Sequence, residues 1–259
     1  LGWNSNPREG VFDDSAWAAV SAGVPEPHWA PPANLGAEWV TVQTERQGSP
    51  NYSFYRQAFC MPLNADDLSA SVEAANDDVG DLYLNGIYLG ERRGGGAAAT
   101  LAANSGIQSG MNVLAVRVLN NTHGGHADGK DSVGLIFNLA AGYEHLHPFV
   151  AAPRMALAGE QAIFAMHGEG LSGSSGVYSY TIDYGDGSAP EPYQGGGEFR
   201  HSYAAAGVYT ATVTARSAYG CTGVDQVGIT VLAPDSNLLA NRVTVGYGNN
   251  EGALYEGEA

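Results

Sequence analysis

The feature that most constrains this chain is the stretch 178–215, above all the strand pattern at its end. From residue 209 to 216, apolar or aromatic side chains alternate with threonine and arginine, so one face of the segment can be buried and the other solvated. Just upstream, residues 183–188 place glycine and aspartate where a chain reversal needs a positive φ or a side chain that bonds its own backbone. The stretch therefore predicts a half-buried β-strand that follows a tight corner.

The order of motifs in this region resembles a PKD domain, an immunoglobulin-like β-sandwich of extracellular proteins. The matching residues are Tyr180, Asp183, Tyr184-Gly185-Asp186-Gly187, His201-Ser202-Tyr203 and Gly207-Val208-Tyr209, with Gly159 and 227–231 fitting the first and last strands. The resemblance implies a structural role for His201. It also implies a tyrosine corner at Tyr209, whose hydroxyl bonds back to the backbone at the edge of the core.

The first half of the chain predicts further strands separated by turns. Residues 52–59, 68–75, 113–119 and 133–139 are aromatic or alternating. Within 81–89, Asn85-Gly86 lies between two β-rich runs, which is the strongest short-range signal for a hairpin. No long segment keeps a helical period, so we expect an all-β chain.

These strands, in this order, resemble a galactose-binding-like jelly roll over about residues 10–140. Such domains occur as accessory modules of β-galactosidase-type and rhamnosidase-type enzymes and in exported proteins of the PEP-CTERM kind. The resemblance is carried by Phe12-Asp13-Asp14-Ser15-x-Trp17, Trp39, Tyr55-Arg56-x-x-Phe59, 75–78 leading to 82–86, and 110–114 leading to Val116 and Val118.

We therefore expect two β-sandwich domains and a tail. The jelly roll, with a tryptophan-rich lead-in, takes residues 1–144, a linker takes 145–153, and the immunoglobulin-like PKD sandwich takes 154–232. In the tail, 233–259, one strand-like piece contains Val243, Val245 and Tyr247. A lone strand cannot satisfy its own backbone, so this piece must pair with this chain, with a following domain or with another molecule.

The charge balance restricts the partners. Eleven Lys and Arg against 27 Asp and Glu give a net charge of −16, which repels nucleic acid and anionic membranes. No apolar run approaches the length needed to cross a bilayer, so direct membrane insertion is not expected. The two cysteines, Cys60 and Cys221, lie in different predicted domains, and the sequence leaves a bridge and two unpaired thiols equally open.

Three groups of residues could bind cations. Asn76, Asp77, Asp78 and Asp81 form an oxygen-rich cluster of the kind that calcium prefers, but the favoured interpretation of these residues is a solvated turn. His123 and His126 with Asp128, and separately His145 with His147, could hold a transition metal, but neither group supplies a full tetrahedral set. We therefore expect no cofactor, and calcium is the one candidate.

Aromatic residues offer the best binding chemistry. Trp29, Trp39, Tyr83 and Tyr88 could stack on the CH faces of a sugar, although the favoured interpretation of the tryptophans in the lead-in is that they plug the sandwich. No nucleophile elbow, phosphate-binding loop or singled-out carboxylate pair is present in the sequence, so we do not expect an enzyme.

The sequence thus leads to two functional hypotheses. The first is an extracellular or cell-surface structural or adhesive protein, whose copies associate by β-strand addition through the tail or an exposed sheet edge. Head-to-tail use of such a strand does not close and builds a filament or array. The alternative is a glycan-binding accessory module of a larger secreted glycan-degrading enzyme.

Overall fold

The computed structural model describes residues 2–7, 12–17, 40–45, 51–93, 99–120, 130–167, 178–194, 197–234, 243–245 and 254–256. The described residues form strands joined by turns and contain no α-helix, which confirms the all-β prediction. None of them forms an apolar helix long enough to span a membrane. The strands are, in chain order, β1 (Val40–Glu45), β2 (Asn51–Met61), β3 (Ala65–Asp66), β4 (Ser69–Asp77), β5 (Val79–Leu84), β6 (Ile87–Arg93), β7 (Ala99–Ala102), β8 (Gly110–Asn120), β9 (Lys130–Gly142), β10 (His145–Leu146), β11 (Val150–Ala151), β12 (Met155–Leu157), β13 (Gln161–Met166), β14 (Tyr178–Asp183), β15 (Glu191–Pro192), β16 (Glu198–Ser202), β17 (Gly207–Ser217), β18 (Thr222–Leu232), β19 (Val243–Val245) and β20 (Leu254–Glu256).

The chain divides into two compact units. The first unit comprises Leu1–His147, Ser175–Ser179 and Thr214–Val224, and the second comprises Pro148–Ser174, Tyr180–Val213 and Asp225–Ala259. The units are therefore not contiguous in sequence, whereas the predicted domains were. The predicted linker, 145–153, contains β10, which pairs with β3 in the first unit, and β11, which pairs with β13 in the second.

The first unit is a sandwich of two four-stranded sheets, β1-β9-β4-β7 and β2-β8-β5-β6. Alternating apolar residues of both sheets meet in one core, since side chains of successive strand residues point to opposite faces. Val72 of β4, Leu82 of β5 and Leu135 of β9 are all 0% exposed in this core. Two four-stranded layers thus leave one outer face of each sheet to be solvated or covered.

The turn between β5 and β6 confirms the predicted hairpin. Asn85 and Gly86 have φ values of 50° and 84°, the left-handed pair that a tight two-residue hairpin turn requires. The Asn85 side chain donates to the Gly106 carbonyl at 2.8 Å and accepts from the Val113 amide at 2.8 Å. It also donates to Asn112 Oδ1 at 2.7 Å, so this buried polar residue has partners for both its donor and its acceptor.

The second unit contains the sheet β11-β13-β16, and β12-β18-β17-β14-β15 form a five-stranded sheet in which β12 pairs parallel with β18. Its core includes Phe164, Ile182 and Ile229, each at most 1% exposed. Each of these residues occupies an inward position of its strand. The alternation predicted for 209–216 is confirmed in β17, where Ala211, Val213 and Ala215 are each 0% exposed.

The two cysteines form a disulfide. The Cα atoms of Cys60 and Cys221 lie 5.4 Å apart, within the ordinary range for a bridge, and both residues belong to the first unit. The short turn that presents Cys221 is held by the Ser217 amide, which donates to the Cys221 carbonyl at 2.9 Å. The bridge therefore staples the turn between β17 and β18 to the end of β2.

The tail strand pairs within the chain. Val243 to Val245 run antiparallel to Leu254 to Glu256, with Val243 opposite Glu256 and Val245 opposite Leu254. Of the three partners that the sequence allowed for this strand, the structure uses the same chain. Tyr247, the third residue of the predicted assembly strand, lies outside the described residues.

Candidate functional site

The outer face of the sheet β2-β8-β5-β6 collects side chains from four strands. Phe54 lies opposite Arg117, which lies opposite Asp81, and Tyr83 lies opposite Tyr88 in the next pair of strands. Since alternate residues share a face, these side chains point away from the core that Leu82 and its neighbours fill. The register thus builds one row of aromatic and charged groups on the outside of the first unit.

The rings in this row contact one another. Trp3 packs edge-on against Phe54 at 4.9 Å and Tyr83 at 5.6 Å between ring centroids. Tyr83 lies 5.3 Å from Tyr88, and Phe54 lies 6.5 Å from Tyr52. We call these five residues, Trp3, Tyr52, Phe54, Tyr83 and Tyr88, the aromatic face. Tyr52, Phe54 and Tyr88 are 48%, 41% and 52% exposed, so the face presents apolar rings to solvent.

A charged pair lies among the rings. Arg117 Nε donates to Asp81 Oδ2 at 3.0 Å, and the guanidinium carbon lies 5.2 Å from the Tyr52 ring centroid, a cation–π contact. The Tyr88 hydroxyl lies 3.5 Å from Asp81 Oδ1. Desolvation and the negative charges of Asp81 and Glu91 raise the pKa of Tyr88, so its hydroxyl stays protonated. The aromatic face therefore carries hydrogen-bond donors and an acceptor beside its rings.

One end of the same sheet face is covered. The Arg56 side chain is 7% exposed, pairs with Asp14 and lies under the Phe12 ring, 5.0 Å from its centroid. Phe12 in turn packs edge-on against Trp17 at 5.7 Å. The segment 12–17 thus shields this part of the face, whereas the part around Tyr52 and Tyr88 stays accessible.

Of the four predicted sugar-binding residues, the structure brings Tyr83 and Tyr88 together. Trp29 and Trp39 lie outside the described residues. The sequence did not single out Tyr52 and Phe54, which join Tyr83 only because β8 lies between β2 and β5. Their spacing of two residues on a predicted strand was the available signal, because such residues share a face.

The four predicted calcium ligands, Asn76, Asp77, Asp78 and Asp81, do not share a set of contacts among the described side chains. Asn76 is 0% exposed, and its Nδ2 donates to the Arg92 carbonyl at 3.3 Å. Asp81 is held by Arg117 on the aromatic face. The Asp78 amide donates to the Leu119 carbonyl at 3.2 Å, and the Asp77 side chain lies outside the described residues. Calcium binding at this cluster stays a prediction.

The PKD-like motif residues form a second aromatic cluster, in the second unit. Tyr184 stacks on His201 with 3.9 Å between centroids, and His201 Nε2 lies 2.7 Å from Asp186 Oδ2. The Tyr203 hydroxyl donates to the Tyr184 carbonyl at 3.1 Å. The Tyr209 hydroxyl donates to the Ala205 carbonyl at 2.9 Å, which is the bond to the backbone that the resemblance implied. These contacts support the fold itself.

The corner before this cluster is built by aspartates. Asp183 Oδ1 accepts from the Gly185 amide at 2.9 Å, and Asp186 Oδ1 accepts from the Ser188 amide at 3.0 Å, each two residues on. Gly185 has a φ of 75°, and a Cβ there would overlap the Thr210 carbonyl. Turn geometry therefore explains both aspartates, as the sequence indicated.

Comparison with known proteins identifies a PKD domain in the region that contains this second aromatic cluster. The PKD domain family model matches residues 147–231, about a third of the chain. No curated protein matches the sequence. Among solved structures, the PKD domain of an M14-like peptidase from a Thermoplasmatales archaeon shares 22% identity, over 32% of this chain and 89% of that chain, with a TM-score of 0.25.

Two glycoside hydrolases are also similar. Bacteroides uniformis β-glucuronidase shares 19% identity, over 84% of this chain and 29% of its own, with a TM-score of 0.33. A glycosyl hydrolase family 2 member from Bacteroides cellulosilyticus shares 13% identity, over 69% of this chain and 28% of its own, with a TM-score of 0.28. The chain thus spans less than a third of these two proteins, and such low TM-scores leave the galactose-binding-like resemblance a prediction. The predicted PKD domain, in contrast, is confirmed for residues 147–231.

Proposed function

We propose that this chain is a non-catalytic, glycan-binding segment of a larger extracellular protein, and that the aromatic face is its binding surface. The observation that carries the proposal is the exposure of three neighbouring rings, Tyr52, Phe54 and Tyr88, around the Asp81–Arg117 pair. Soluble proteins rarely leave contiguous aromatic surface exposed without a partner for it.

The chemistry of the face suits a sugar. The CH faces of a pyranose stack on flat rings, because ring and sugar both remove apolar area from water while the sugar hydroxyls stay at the rim. The Arg117 side chain is 40% exposed and can donate to a hydroxyl, and Asp81 can accept from one. Apolar rings with a small number of oriented polar groups are the usual composition of a small-ligand site.

An extracellular location is consistent with two features. PKD domains are typical of extracellular proteins. The Cys60–Cys221 disulfide belongs to an oxidising compartment, since cytosolic thiols are kept reduced. A net charge of −16 further favours a neutral or cationic ligand over a polyanion.

The test is binding of the purified chain to a glycan array. We expect Tyr88→Ala and Tyr52→Ala to weaken binding at least tenfold, which corresponds to loss of about 1.4 kcal/mol. Tyr219→Ala is the matched control, because Tyr219 is 43% exposed but lies in the turn between β17 and β18. Tyr88→Phe should keep most of the affinity, since it keeps the ring. Binding to no glycan, or equal losses in Tyr219→Ala, would contradict the proposal.

Self-association by β-strand addition is a second candidate. The observation in its favour is that β19 and β20 form a two-stranded sheet, and no further described strand extends either edge. Unpaired backbone groups at such edges can accept a strand from another copy. Truncation after Leu232 should then abolish filaments seen by electron microscopy and leave glycan binding unchanged. Filaments that survive the truncation would exclude the tail as the connector.

A further inference from the structure

The two-residue ladder between β3 and β10 brings together histidines and carboxylates that are far apart in sequence. His145 lies opposite Asp66, and Leu146 lies opposite Ala65. The ladder is extended by the Glu144 amide, which donates to the Asp66 carbonyl at 3.3 Å, and the His147 amide, which donates to the Asn64 carbonyl at 2.8 Å. The backbone therefore fixes these side chains relative to one another within the first unit.

Two imidazoles in this ladder each contact a carboxylate. His145 Nδ1 lies 2.9 Å from Asp67 Oδ2, and His147 Nε2 lies 2.9 Å from Asp66 Oδ2. One donor atom each from Asp67, Glu144 and His145 lies within 4.8 Å of the other two, and this is the one such group of three His, Cys, Asp or Glu residues in the described part of the chain. His145 and His147 lie two positions apart in an extended segment, so they point to the same side.

We propose that Asp67, Glu144 and His145 form a binding site for a divalent transition-metal ion of the zinc class, with His147 and Asp66 beside it. Zinc bound by imidazole and carboxylate has bonds of about 2.0–2.2 Å, so its tetrahedral ligand atoms lie about 3.3 Å apart. The 2.9 Å separation in the His145–Asp67 pair is close to that spacing. The three ligand atoms lie within 4.8 Å of one another, so rotation of these exposed side chains, with loss of the proton shared by His145 and Asp67, would bring them to zinc-binding distances.

The composition of the cluster selects the metal. Calcium prefers six to eight oxygen ligands, whereas imidazole with carboxylate suits zinc and the neighbouring divalent metals. Two carboxylates and one imidazole also neutralise the charge of a divalent ion, and the acidic chain as a whole attracts cations. The site therefore differs from the oxygen-rich cluster at residues 76–81, which the sequence predicted for calcium.

A buried polar residue adjoins the cluster. Asn64 is 5% exposed, and its Nδ2 donates to the His147 carbonyl at 3.1 Å and the Val224 carbonyl at 3.3 Å. Its Oδ1 is buried and has no hydrogen-bond partner among the described residues. The two bonds from Nδ2 hold the backbone at His147, two positions from His145, and so help to fix the β10 side of the ladder.

The experiment is calorimetric titration of the metal-free full chain, without a histidine tag, with Zn²⁺ alone and with Ca²⁺ alone. We expect one strong Zn²⁺ site per chain and no comparable Ca²⁺ site. His145→Ala and Asp67→Asn should each weaken Zn²⁺ binding at least tenfold. The matched control is His167→Ala, because His167 is exposed in the second unit. A visible spectrum of the Co²⁺-loaded chain should change in His145→Ala and not in His167→Ala.

Two results would overturn the proposal. One is the absence of strong Zn²⁺ binding to the unmodified chain. The other is Zn²⁺ binding that is unchanged in His145→Ala and Asp67→Asn but lost in the double variant His123→Ala, His126→Ala, which removes the other predicted histidine pair. The His145 and Asp67 side chains are 68% and 59% exposed, so both single variants should keep the melting temperature of the unmodified chain.

Discussion

The two aromatic clusters of this chain place similar side chains in opposite environments, one buried and the other exposed. In the second unit, Tyr184 and Tyr203 are 2% and 0% exposed, and their hydroxyls donate to Glu191 at 2.7 Å and to the Tyr184 carbonyl at 3.1 Å. On the aromatic face of the first unit, Tyr52 and Tyr88 are about half exposed, and the Tyr88 hydroxyl has only a 3.5 Å contact. Aromatic content alone therefore does not distinguish a core from an exposed surface. Burial together with satisfied hydroxyls does.

The charged pairs of the two clusters differ in the same way. Asp186 and His201 have side chains that are each 17% exposed, and the imidazole stacks on the buried Tyr184 ring. Arg117 is 40% exposed and lies among partly exposed rings of the aromatic face. A largely buried pair stabilises a corner, whereas a partly exposed pair keeps polar groups accessible to solvent.

The largest expected effect on stability is at Tyr203, in the buried aromatic cluster of the second unit. Tyr203→Ala should lower the free energy of unfolding by about 3–5 kcal/mol, because it leaves a cavity beside Tyr184 and Tyr209 and removes a buried hydrogen bond. The measurement is urea unfolding followed by circular dichroism. Tyr203→Phe is the control and should cost about 1 kcal/mol, since it removes only the hydroxyl. Equal costs for the two variants would mean that the ring is not part of the core.

A smaller effect on stability is expected when acid protonates the carboxylate of Asp186. Burial by itself raises the pKa of Asp186, but hydrogen bonds from the Ser188 side chain and amide and from His201 outweigh it and lower the pKa from 3.8 to about 2. A carboxyl with a lowered folded-state pKa stabilises the fold above its unfolded pKa. This contribution is lost as the pH falls from about 4 to about 2.

Asp186→Asn should therefore be less stable than the unmodified chain at pH 5, by on the order of 1 kcal/mol after allowance for solvent screening. The difference should shrink towards pH 2, where the pH reaches the lowered pKa and about half of the Asp186 carboxyls in the folded unmodified chain are protonated. The measurement is the unfolding midpoint of both proteins at pH 5, 4, 3 and 2. The two proteins share all other carboxyl groups, so the contributions of those groups cancel in the difference between the midpoints. A difference that stays constant over this range would show that His201 and Ser188 do not stabilise the charged form of Asp186.

The sequence predicted the features that depend on neighbouring residues. The Asn85-Gly86 hairpin and the corner at Asp183 to Ser188 follow from local backbone requirements. The tyrosine corner at Tyr209 is equally local, since its hydroxyl reaches a carbonyl only four residues away. Strand existence likewise followed from alternation over a few residues.

Features that depend on the order of strands in a sheet could not be predicted from the sequence. Phe54 and Tyr83 share the aromatic face because β8 lies between their strands, and both rings contact Trp3. His145 meets Asp67, which lies 78 positions away in the sequence. The disulfide joins residues separated by 161 positions. Alternation with a period of two residues shows which side chains share a face of a strand. It does not show which strands are neighbours, so the residues of each site could not be grouped from the pattern.

The smallest effect on stability is expected at Tyr88, on the aromatic face. Tyr88→Ala should change the free energy of unfolding by no more than about 0.5 kcal/mol, because Tyr88 is 52% exposed and its ring covers little of the core. The measurement is the same urea titration as for Tyr203→Ala, with Tyr219→Ala as the exposed control. If Tyr88→Ala cost 2 kcal/mol or more, the ring would be holding the sheet together, and the aromatic face would be a second structural cluster. A loss of glycan binding without a loss of stability separates recognition from structure at a single residue.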